Sequence, residues 1–247
     1  MIRPVLESAK KLTRPRKKDL YDIFCAILYL IKSGCRWRML PADFPKWGIV
    51  RYYYDVWSGE RRDGSTLPEE VLKKLAIMVH NDAVRRDKTA CAIIDAQSVQ
   101  NAGTAGEKGY DAGKKVSGIK RHIVVDMMGL PHAPGITVAN LTERQGAARM
   151  MRQNPENLSE VRKFIVDGSY SGEPFAQAVR DMCGAEVEVV KRNELHRFAV
   201  LPKRWVMERS FGWLDKARLL WKNCERKLHN SPRMVILAFI AVLLIKR

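Results

Sequence analysis

Apolar residues in the first third of the chain recur at the spacing of a helix. From Asp19 onward they lie mostly three and four positions apart. A second run of this kind, Leu67 to about Arg86, has Pro68 in its first turn, where proline costs no helical hydrogen bond. Between these runs, the segment 48–58 is short, aromatic and charged. The pattern predicts a small all-α, helix-turn-helix-like domain over residues 19–87.

Beyond residue 87 the pattern changes to short apolar runs separated by turns. Five of these runs predict strands: Cys91 to about Val99, Lys120 to Asp126, His132 to Ala139, Lys163 to Val166 and Ala185 to Val190. Helices are predicted over about Thr142 to Arg152, Glu173 to Met182 and Leu201 to Trp221. Three strands in a meander, followed by strands that alternate with helices, indicate an α/β domain with a mixed sheet and flanking helices.

This element order is that of the RNase H-like fold. The sequence therefore predicts a mixed five-stranded sheet over residues 88–247, with a C-terminal helix in the same domain. In such a sheet the first and fourth strands are central neighbours. Residues on these two strands are far apart in sequence but are expected to meet in space.

Polar residues form a stripe along the predicted helix Leu201 to Trp221. Steps of four and seven residues return nearly to the same face of a helix, so Arg204, Glu208 and Asp215 share this stripe. Apolar residues surround it, which predicts a largely buried helix that carries a carboxylate inward. Burying an uncompensated carboxylate costs on the order of several kcal/mol. Glu208 therefore needs Arg204 or a metal ion as its partner.

Two further acids lie at boundaries between apolar and polar segments. Asp95 is set in the first strand and Asp167 ends the fourth. Each acid alone has a plain explanation as a turn residue or an ion-pair partner. Together with Glu208 they are expected to converge, and three clustered carboxylates repel one another unless a cation neutralises them. All-oxygen ligation is typical of Mg²⁺ or Mn²⁺, and two such ions support in-line phosphoryl displacement.

The charge of the chain indicates what kind of partner it binds. Lys and Arg number 44 against 27 Asp and Glu, which gives a formal charge of +17 and a pI near 9.9. This balance favours a polyanion. The basic residues are spread along the chain instead of forming one amphipathic or juxtamembrane cluster, which favours nucleic acid over a membrane surface. Residues 1–18 are basic and are predicted to form an exposed arm.

Cysteines and apolar segments indicate a cytoplasmic protein. The 5 cysteines include no C-x-x-C pair, and neither they nor the 5 histidines have zinc-ligand spacing. The N-terminus lacks the apolar segment and cleavage site of a secretory signal. The apolar run Met234 to Ile245 is too short to span a bilayer, so we expect a buried terminal helix.

Two groups of residues are candidates for holding DNA. The segment that leads into the second strand carries Lys114, Lys115, Lys120 and Arg121, whose charges suit phosphate contacts. In the helical domain, Arg51, Tyr52 and Tyr53 belong to the segment 48–58, which is predicted to enter a groove. A solvated basic loop is the alternative for the first group. A bundle that serves as an arm or dimer surface is the alternative for the second.

Four motifs together resemble a known family. The segments IIDAQSV, GYDAGKKVSGIKRHIVVD, VDGSYSG and LPKRWVMERSFGWL are similar to those of DDE transposases of bacterial insertion sequences, in the compact IS-five-like branch. KSGCRWRMLPADFPKW and the aromatic segment after it resemble the N-terminal domain of that family. The resemblance covers nearly the whole chain.

The resemblance implies an activity and its cofactor. In that family Asp95, Asp167 and Glu208 would bind two Mg²⁺ ions, for which Mn²⁺ can substitute. The enzyme would nick DNA at the element ends and join the freed 3′-hydroxyl to a target. The uninterrupted spacing of the acids leaves no room for the large insertion domain that some relatives carry.

The resemblance also assigns DNA contacts. Arg204 matches an arginine that the wider family places four residues before its Glu, and Tyr170 remains from the pattern after the second Asp. The family has a basic residue seven positions after the Glu, where this chain has Asp215. On a helix Arg218 returns close to the polar stripe, so it is the candidate substitute.

The sequence thus favours a Mg²⁺-dependent transposase in the bacterial cytoplasm, associated with the nucleoid. Its expected partners are double-stranded DNA, as terminal inverted repeats and as target, and further copies of itself in a homodimer or larger assembly. No membrane partner is expected. Two alternatives stay open: a catalytically inert DNA-binding regulator derived from a transposase, and a simple RNase H-like nuclease or resolvase.

Overall fold

The computed structural model describes residues 2–8, 18–61, 64–82, 90–190 and 204–245. These residues form two compact units. The helical unit comprises Met1–Val79, Trp213–Trp221 and Arg233–Arg247, and the sheet unit comprises His80–Gly212 and Lys222–Pro232. Most of the C-terminal helix belongs to the helical unit, and the division at residues 87 and 88 stays a prediction. Such a helix is apolar on all sides, so it needs partners around its whole circumference.

The helical unit is built from short amphipathic helices. It contains α1 (Ile2–Ser8), α2 (Leu20–Ser33), α3 (Trp47–Trp57), most of α4 (Leu67–Asp82) and most of α9 (Ser231–Ile245). Asp19 begins α2 by accepting the Tyr21 N–H at 2.8 Å, and Gly34, with a φ of 70°, ends it. Nearly every described side chain of α9 from Met234 onward is buried. Among the described residues, no helix is both long and apolar enough to cross a bilayer.

The start of the chain differs from the prediction of an exposed basic arm. In α1, Ile2, Val5 and Leu6 are buried. Arg3 pairs with Asp19 at 2.7 Å and lies over the ring of Tyr21. Apolar spacing at positions two, five and six thus places α1 in the core, whereas residues 9–17 lie outside the described part of the chain.

In the part of the sheet unit that the structure describes there are six strands, one more than predicted. The strands are β1 (Cys91–Gln100), β2 (Gly109–Asp111), β3 (Val116–Asp126), β4 (Pro131–Val138), β5 (Lys163–Asp167) and β6 (Glu186–Val190). Their order is β2-β3-β1-β5-β6, with β4 also paired to β3. Strand β1 is antiparallel to β3 and parallel to β5, and β5 is parallel to β6. This is the predicted RNase H-like arrangement of a mixed sheet, with the short β2 added in a stretch expected to be a turn.

Helices α5 (Glu143–Gln153), α6 (Pro155–Leu158) and α7 (Glu173–Cys183) share one core with the sheet. That core contains Ile94, Val124, Met150, Phe164 and Phe175, all buried. Helix α5 lies unusually close to the strands, and two glycines make the approach possible. A Cβ on Gly146 would lie 2.1 Å from the His122 ring, and one on Gly135 of β4 would lie 2.6 Å from Met150. The first turn of α5 is therefore fixed relative to the sheet.

Helix α8 (Arg204–Asp215) is shorter than the predicted helix over Leu201 to Trp221. Residues 201–203 lie outside the described part of the chain. At the other end, Ala217 has extended backbone angles, so the helix ends and a separate 3₁₀ turn, Arg218–Leu220, follows. Within the sheet unit, Arg209 donates to the Met128 carbonyl at 2.6 Å, and Ser210 lies 3.3 Å from the Gly129 carbonyl. These contacts tie α8 to the turn between β3 and β4.

The close approach of α5 predicts a large effect of a small substitution. Gly146→Ala should lower the free energy of unfolding by about 1–3 kcal/mol, because the new methyl group overpacks a buried ring. The ring has little freedom to move, since Thr137 Oγ1 holds its Nε2 at 3.0 Å. Chemical denaturation monitored by circular dichroism measures the change.

Gly212→Ala in α8 is the matched control, because no described atom outside the backbone of its own helix and its chain neighbours lies within 4 Å of a Cβ built there. In a helix interior this exchange is expected to stabilise by up to about 1 kcal/mol. Equal destabilisation by the two variants would contradict the close packing of α5.

Candidate active site

The pairing of β1 with β5 brings two acids together. In the parallel register Ile93 lies opposite Ile165. Asp95 and Asp167 each follow two residues later on their strands, and side chains two apart point to the same face. Neighbouring strands lie about 4.8 Å apart. The predicted pairing of the first and fourth strands is confirmed, and the charge of Asp167 acts on Asp95. The shared role of the two carboxylates as metal ligands stays a prediction.

The surroundings of Asp95 disfavour its charged form. Burial is the main cause that raises the pKa of this carboxyl to about 6, and the charges of Asp167 and Glu143 add to it. The Ala96 N–H, which donates to Asp95 at 2.7 Å, and the Lys114 ammonium oppose the shift. A bound cation would relieve the same repulsion, because it stabilises the ionised carboxylate.

Asp167 ends β5 and begins a 3₁₀ turn, Gly168–Tyr170. Its Oδ1 accepts the Ser169 N–H at 2.9 Å and also the Ser169 hydroxyl. The side chain is exposed, so one carboxylate of the pair faces solvent and the other is largely covered. Such a pair is accessible to a ligand from the Asp167 side.

Glu143 lies close enough to Asp95 for its charge to act on that carboxyl, although no sequence pattern predicted it there. It is the first residue of α5, where Thr142 and Gln145 form a capping box, and an acid in a first turn is common for helix stability alone. Burial raises the pKa of Glu143, but hydrogen bonds from Ser169 and Lys114 outweigh it and lower the pKa overall. No sequence signal separates this glutamate from an ordinary capping residue. Only its position against β1 and β5 does so.

The predicted lysines of the β2–β3 turn have different surroundings. Lys114 donates to Glu143 at 2.9 Å and to the Ala96 carbonyl at 3.2 Å, while its side chain stays 46% exposed. Lys115 is exposed and has a φ of 54°, an uncommon conformation for a residue other than glycine. Both remain accessible enough to meet a phosphate.

Two other predicted DNA contacts are buried, contrary to the expectation that they lie in an exposed segment. Lys120 is 5% exposed, and its ammonium lies 3.2 Å from Asp111 and 3.0 Å from the Leu141 carbonyl. Arg121 is 2% exposed and lies 3.5 Å from Gln97 on β1. Both cations therefore have almost no surface to offer to a phosphate. We therefore remove Lys120 and Arg121 from the DNA-contacting set.

Tyr170 is also buried, with no exposed surface. Burial raises the pKa of its phenol well above the usual value, and the charges of Asp95, Glu143 and Asp167 act in the same direction. Its hydroxyl has no hydrogen-bond partner among the described residues. Tyr170 therefore has no surface to offer to DNA, contrary to the prediction, and lies near the carboxylates of Asp95, Glu143 and Asp167.

The predicted residues on and after α8 are only partly described. Glu208 is exposed, which differs from the inward carboxylate expected from the polar stripe. The side chain of Arg204 lies outside the described residues. Arg218 follows the end of the helix, so the angular argument that returned it to the stripe does not apply. The catalytic role of Glu208 stays a prediction.

The predicted groove residues of the helical unit lie on α3. Arg51 pairs with Asp55 at 3.0 Å and lies over the rings of Trp37 and Tyr54. Tyr53 is half-buried against Trp57, whereas Tyr52 is 47% exposed. Of the three predicted DNA contacts, Tyr52 is therefore the most accessible.

The chemistry of the carboxylates fits a hard divalent cation. All of the acidic donors are oxygens, which Mg²⁺ and Mn²⁺ prefer, and the pair formed by Asp95 and Asp167 is destabilised without a counter-charge. Within the described ranges, no three His, Cys, Asp or Glu side chains already stand at metal-holding spacing. The pair is thus a suitable but incomplete ligand set.

Two family models match the chain. "Transposase DDE domain" covers residues 86–244, and "Putative transposase of IS4/5 family" covers residues 1–62. Over 119 residues the chain is 34% identical to "Putative transposase for insertion sequence element IS402" of Burkholderia cepacia, across 44% of this chain and 55% of that protein. The matched segment therefore spans about half the length of that relative.

Solved structures with some likeness include an integrase and a transposase. The catalytic core domain of BIV integrase is 9% identical, with 62% of this chain and 82% of that chain covered and a TM-score of 0.40. The Mos1 transposase paired-end complex with left transposon end is 12% identical, with 94% and 82% covered and a TM-score of 0.28.

Asp111 generates a prediction about acid stability. Burial opposes ionisation of its carboxyl, but hydrogen bonds from Ser98 at 2.6 Å, the Lys114 N–H at 3.1 Å and the Lys120 ammonium lower its pKa to about 2. An unfolded Asp titrates near 3.9. Its stabilising contribution is therefore complete above about pH 4 and is lost as the pH falls towards 2.

Asp111→Asn should lower the free energy of unfolding at pH 7 by about 1–3 kcal/mol, because Lys120 loses its buried partner. The variant should also lose less stability than the parent between pH 4 and 2. Urea unfolding across this range measures both. Asp55→Asn removes an exposed pair and is the control, with an expected change below about 0.5 kcal/mol. If Asp111→Asn lost as much stability as the parent between pH 4 and 2, Asp111 would not be the group responsible for that loss.

Proposed function

We propose that this chain, which belongs to the transposase DDE-domain family, cuts DNA at the ends of a mobile element and joins the freed 3′-hydroxyl to target DNA. One observation carries the proposal: Asp95 and Asp167 lie side by side on the parallel strands β1 and β5, inside the region that matches the family. In two-metal phosphoryl transfer, carboxylates of this kind hold the cations that neutralise developing charge.

Asp95, Asp167 and Glu208 are the residues that would hold two Mg²⁺ ions, with Mn²⁺ as a substitute. When bound, these ions supply an activated attacking oxygen and a stabilised leaving oxygen. The protein contributes the placement of the ligands. The Ala96 N–H orients Asp95, and the Ser169 N–H and hydroxyl orient Asp167.

The basic residues would hold the DNA beside this acidic pocket. A formal charge of +17 offsets the repulsion between the phosphate backbone and the carboxylates. Lys114 and Lys115 lie in the β2–β3 turn. In the helical unit, the exposed Tyr52 of α3 is available for DNA contact. Arg204, whose side chain is outside the described residues, stays a proposed contact from the resemblance.

The proposed substrate is double-stranded DNA with terminal inverted repeats. A homodimer or larger assembly is proposed, because two element ends must be brought together for joining. Nucleoid association in the bacterial cytoplasm would follow from the strong positive charge.

Removing any one carboxylate tests the activity. Asp95→Asn, Asp167→Asn and Glu208→Gln should each lower cleavage and strand transfer by at least about a thousandfold, a loss of about 4 kcal/mol of transition-state stabilisation. DNA affinity should change by less than about threefold. Labelled element-end DNA with Mg²⁺ reports cleavage and joining, and a gel shift reports binding.

Asp215→Asn, which changes another exposed carboxylate of α8, should retain activity. Robust joining by Glu208→Gln would overturn the assignment of that residue. Binding without any product from the parent protein would favour an inert regulator. Cleavage of generic hybrids or junctions without joined products would favour a simple nuclease.

The charge of Lys115 gives a separate test of DNA holding. Lys115→Asn keeps a residue that tolerates positive φ but removes one cation. We expect weaker DNA binding on every sequence and a smaller slope of log affinity against log salt, by about 0.9. Titrations at several salt concentrations measure it, with Lys115→Arg as the charge-retaining control. An unchanged slope would exclude a phosphate contact by Lys115.

A further inference from the structure

We propose that Glu143 is a further acidic residue of the active centre and that Lys114 is its built-in counter-ion, which competes with a divalent cation. This inference rests on the proposed function, because it assumes that Asp95 and Asp167 bind the cation. It adds a glutamate on α5 and a lysine of the β2–β3 turn, neither of which belongs to the predicted ligand set.

The first support is the fixed position of Glu143. Helix α5 lies so close to β3 that Gly146 has no room for a side chain, and the capping box formed by Thr142 and Gln145 fixes the first turn. Glu143 is therefore held rigidly, and its half-buried carboxylate acts on Asp95 through its charge. A capping residue without another role has no need to lie against the acid of a neighbouring strand.

The second support is the position of the Lys114 ammonium. It lies 2.9 Å from Glu143 and 3.2 Å from the carbonyl of Ala96, the residue that directly follows Asp95. This cation thus bridges α5 and the acid-bearing strand.

Ser169 connects Glu143 to the second aspartate. Its hydroxyl donates to Asp167 and also favours the ionised form of Glu143. A hydroxyl carries one proton, so it satisfies only one carboxylate at a time. The other carboxylate is then available to accept from, or bind to, a different partner.

The buried hydroxyl of Tyr170 is an independent sign of a ligand site. The residue has no exposed surface, its hydroxyl has no hydrogen-bond partner among the described residues, and the charges of all three carboxylates act on it. A buried hydroxyl without a hydrogen-bond partner is unfavourable. An unsatisfied donor beneath three carboxylates indicates a centre whose polar groups rearrange when a ligand arrives.

The charges around Asp95 suit a divalent cation. Asp95, Asp167 and Glu143 carry three negative charges when ionised, and Lys114 carries one positive charge. The net charge of these four side chains is −2, which one divalent cation would neutralise. If Lys114 is the intrinsic counter-ion, removing it should strengthen cation binding, whereas removing the charge of Glu143 should weaken it. If Lys114 and Glu143 form only a structural ion pair, the two substitutions should not change cation affinity in opposite directions.

Mn²⁺ binding to the full chain without DNA tests the proposal. Titrations followed by electron paramagnetic resonance should show an affinity about tenfold lower for Glu143→Gln and at least about threefold higher for Lys114→Met, as expected for one charge a few ångströms from the ion. Thermal unfolding with and without Mn²⁺ gives a second readout. Misfolding could only weaken binding, so the gain in Lys114→Met keeps the test decisive.

Two control variants match the charge changes. Glu173→Gln neutralises an exposed first-turn glutamate on α7, and Lys115→Asn neutralises the lysine next to Lys114. Both should bind Mn²⁺ within about twofold of the parent, since exposed charges at a distance are screened. If Lys115→Asn and Lys114→Met raised the Mn²⁺ affinity equally, the effect would come from the net charge alone. That result would overturn the proposal.

Asp95→Asn separates this inference from the proposed function. If Asp95→Asn weakens Mn²⁺ binding while Glu143→Gln and Lys114→Met leave it unchanged, the metal centre stands and the role of Glu143 fails. If Asp95→Asn also leaves Mn²⁺ binding unchanged, the metal centre of the proposed function fails, and the inference fails with it.

Discussion

The parallel pairing of β1 with β5 is the constraint on which the rest of the site depends. A parallel register keeps residues at equal offsets side by side, so the pairing of Ile93 with Ile165 places Asp95 beside Asp167. Parallel neighbours need a long crossover connection, and here β3, β4 and α5 supply it. The same elements that allow the two acids to meet therefore also form the surroundings of the acids.

Those surroundings balance repulsion against compensation. Burial and neighbouring carboxylates raise the pKa of Asp95, while the Ala96 N–H and the Lys114 ammonium lower it. Further out, Asp111 and Lys120 form a buried pair that holds β2 and the following turn against β3. Lys120 thus stabilises the fold, whereas Lys114 lies beside the candidate site. The two lysines are only six positions apart in the sequence but have different roles.

Much of the fold could be predicted because it depends on local pattern. The element order and the apolar runs indicated the mixed sheet and its RNase H-like arrangement, and the family match supports the recognition of a DDE transposase. The fate of individual polar side chains could not be predicted in this way. Lys120, Arg121 and Tyr170 look like surface residues in the sequence, but all three are buried in the folded sheet unit. In the sequence Glu143 has the context of an ordinary first-turn residue of a helix. Its partner Lys114 lies 29 positions away, so no local pattern reveals the pair.

The sequence by itself determined where strands and helices form, the strong positive charge, and the two aspartates at the ends of apolar segments. These properties are local or additive, so neighbouring residues are sufficient to specify them. Only the tertiary structure decided which charges face one another. Electrostatic interaction depends on distance through space and on burial, and neither quantity is fixed until β1, β5 and α5 have packed together. That packing brought Glu143 and Lys114 to Asp95, and it placed Lys120 and Arg121 in the interior.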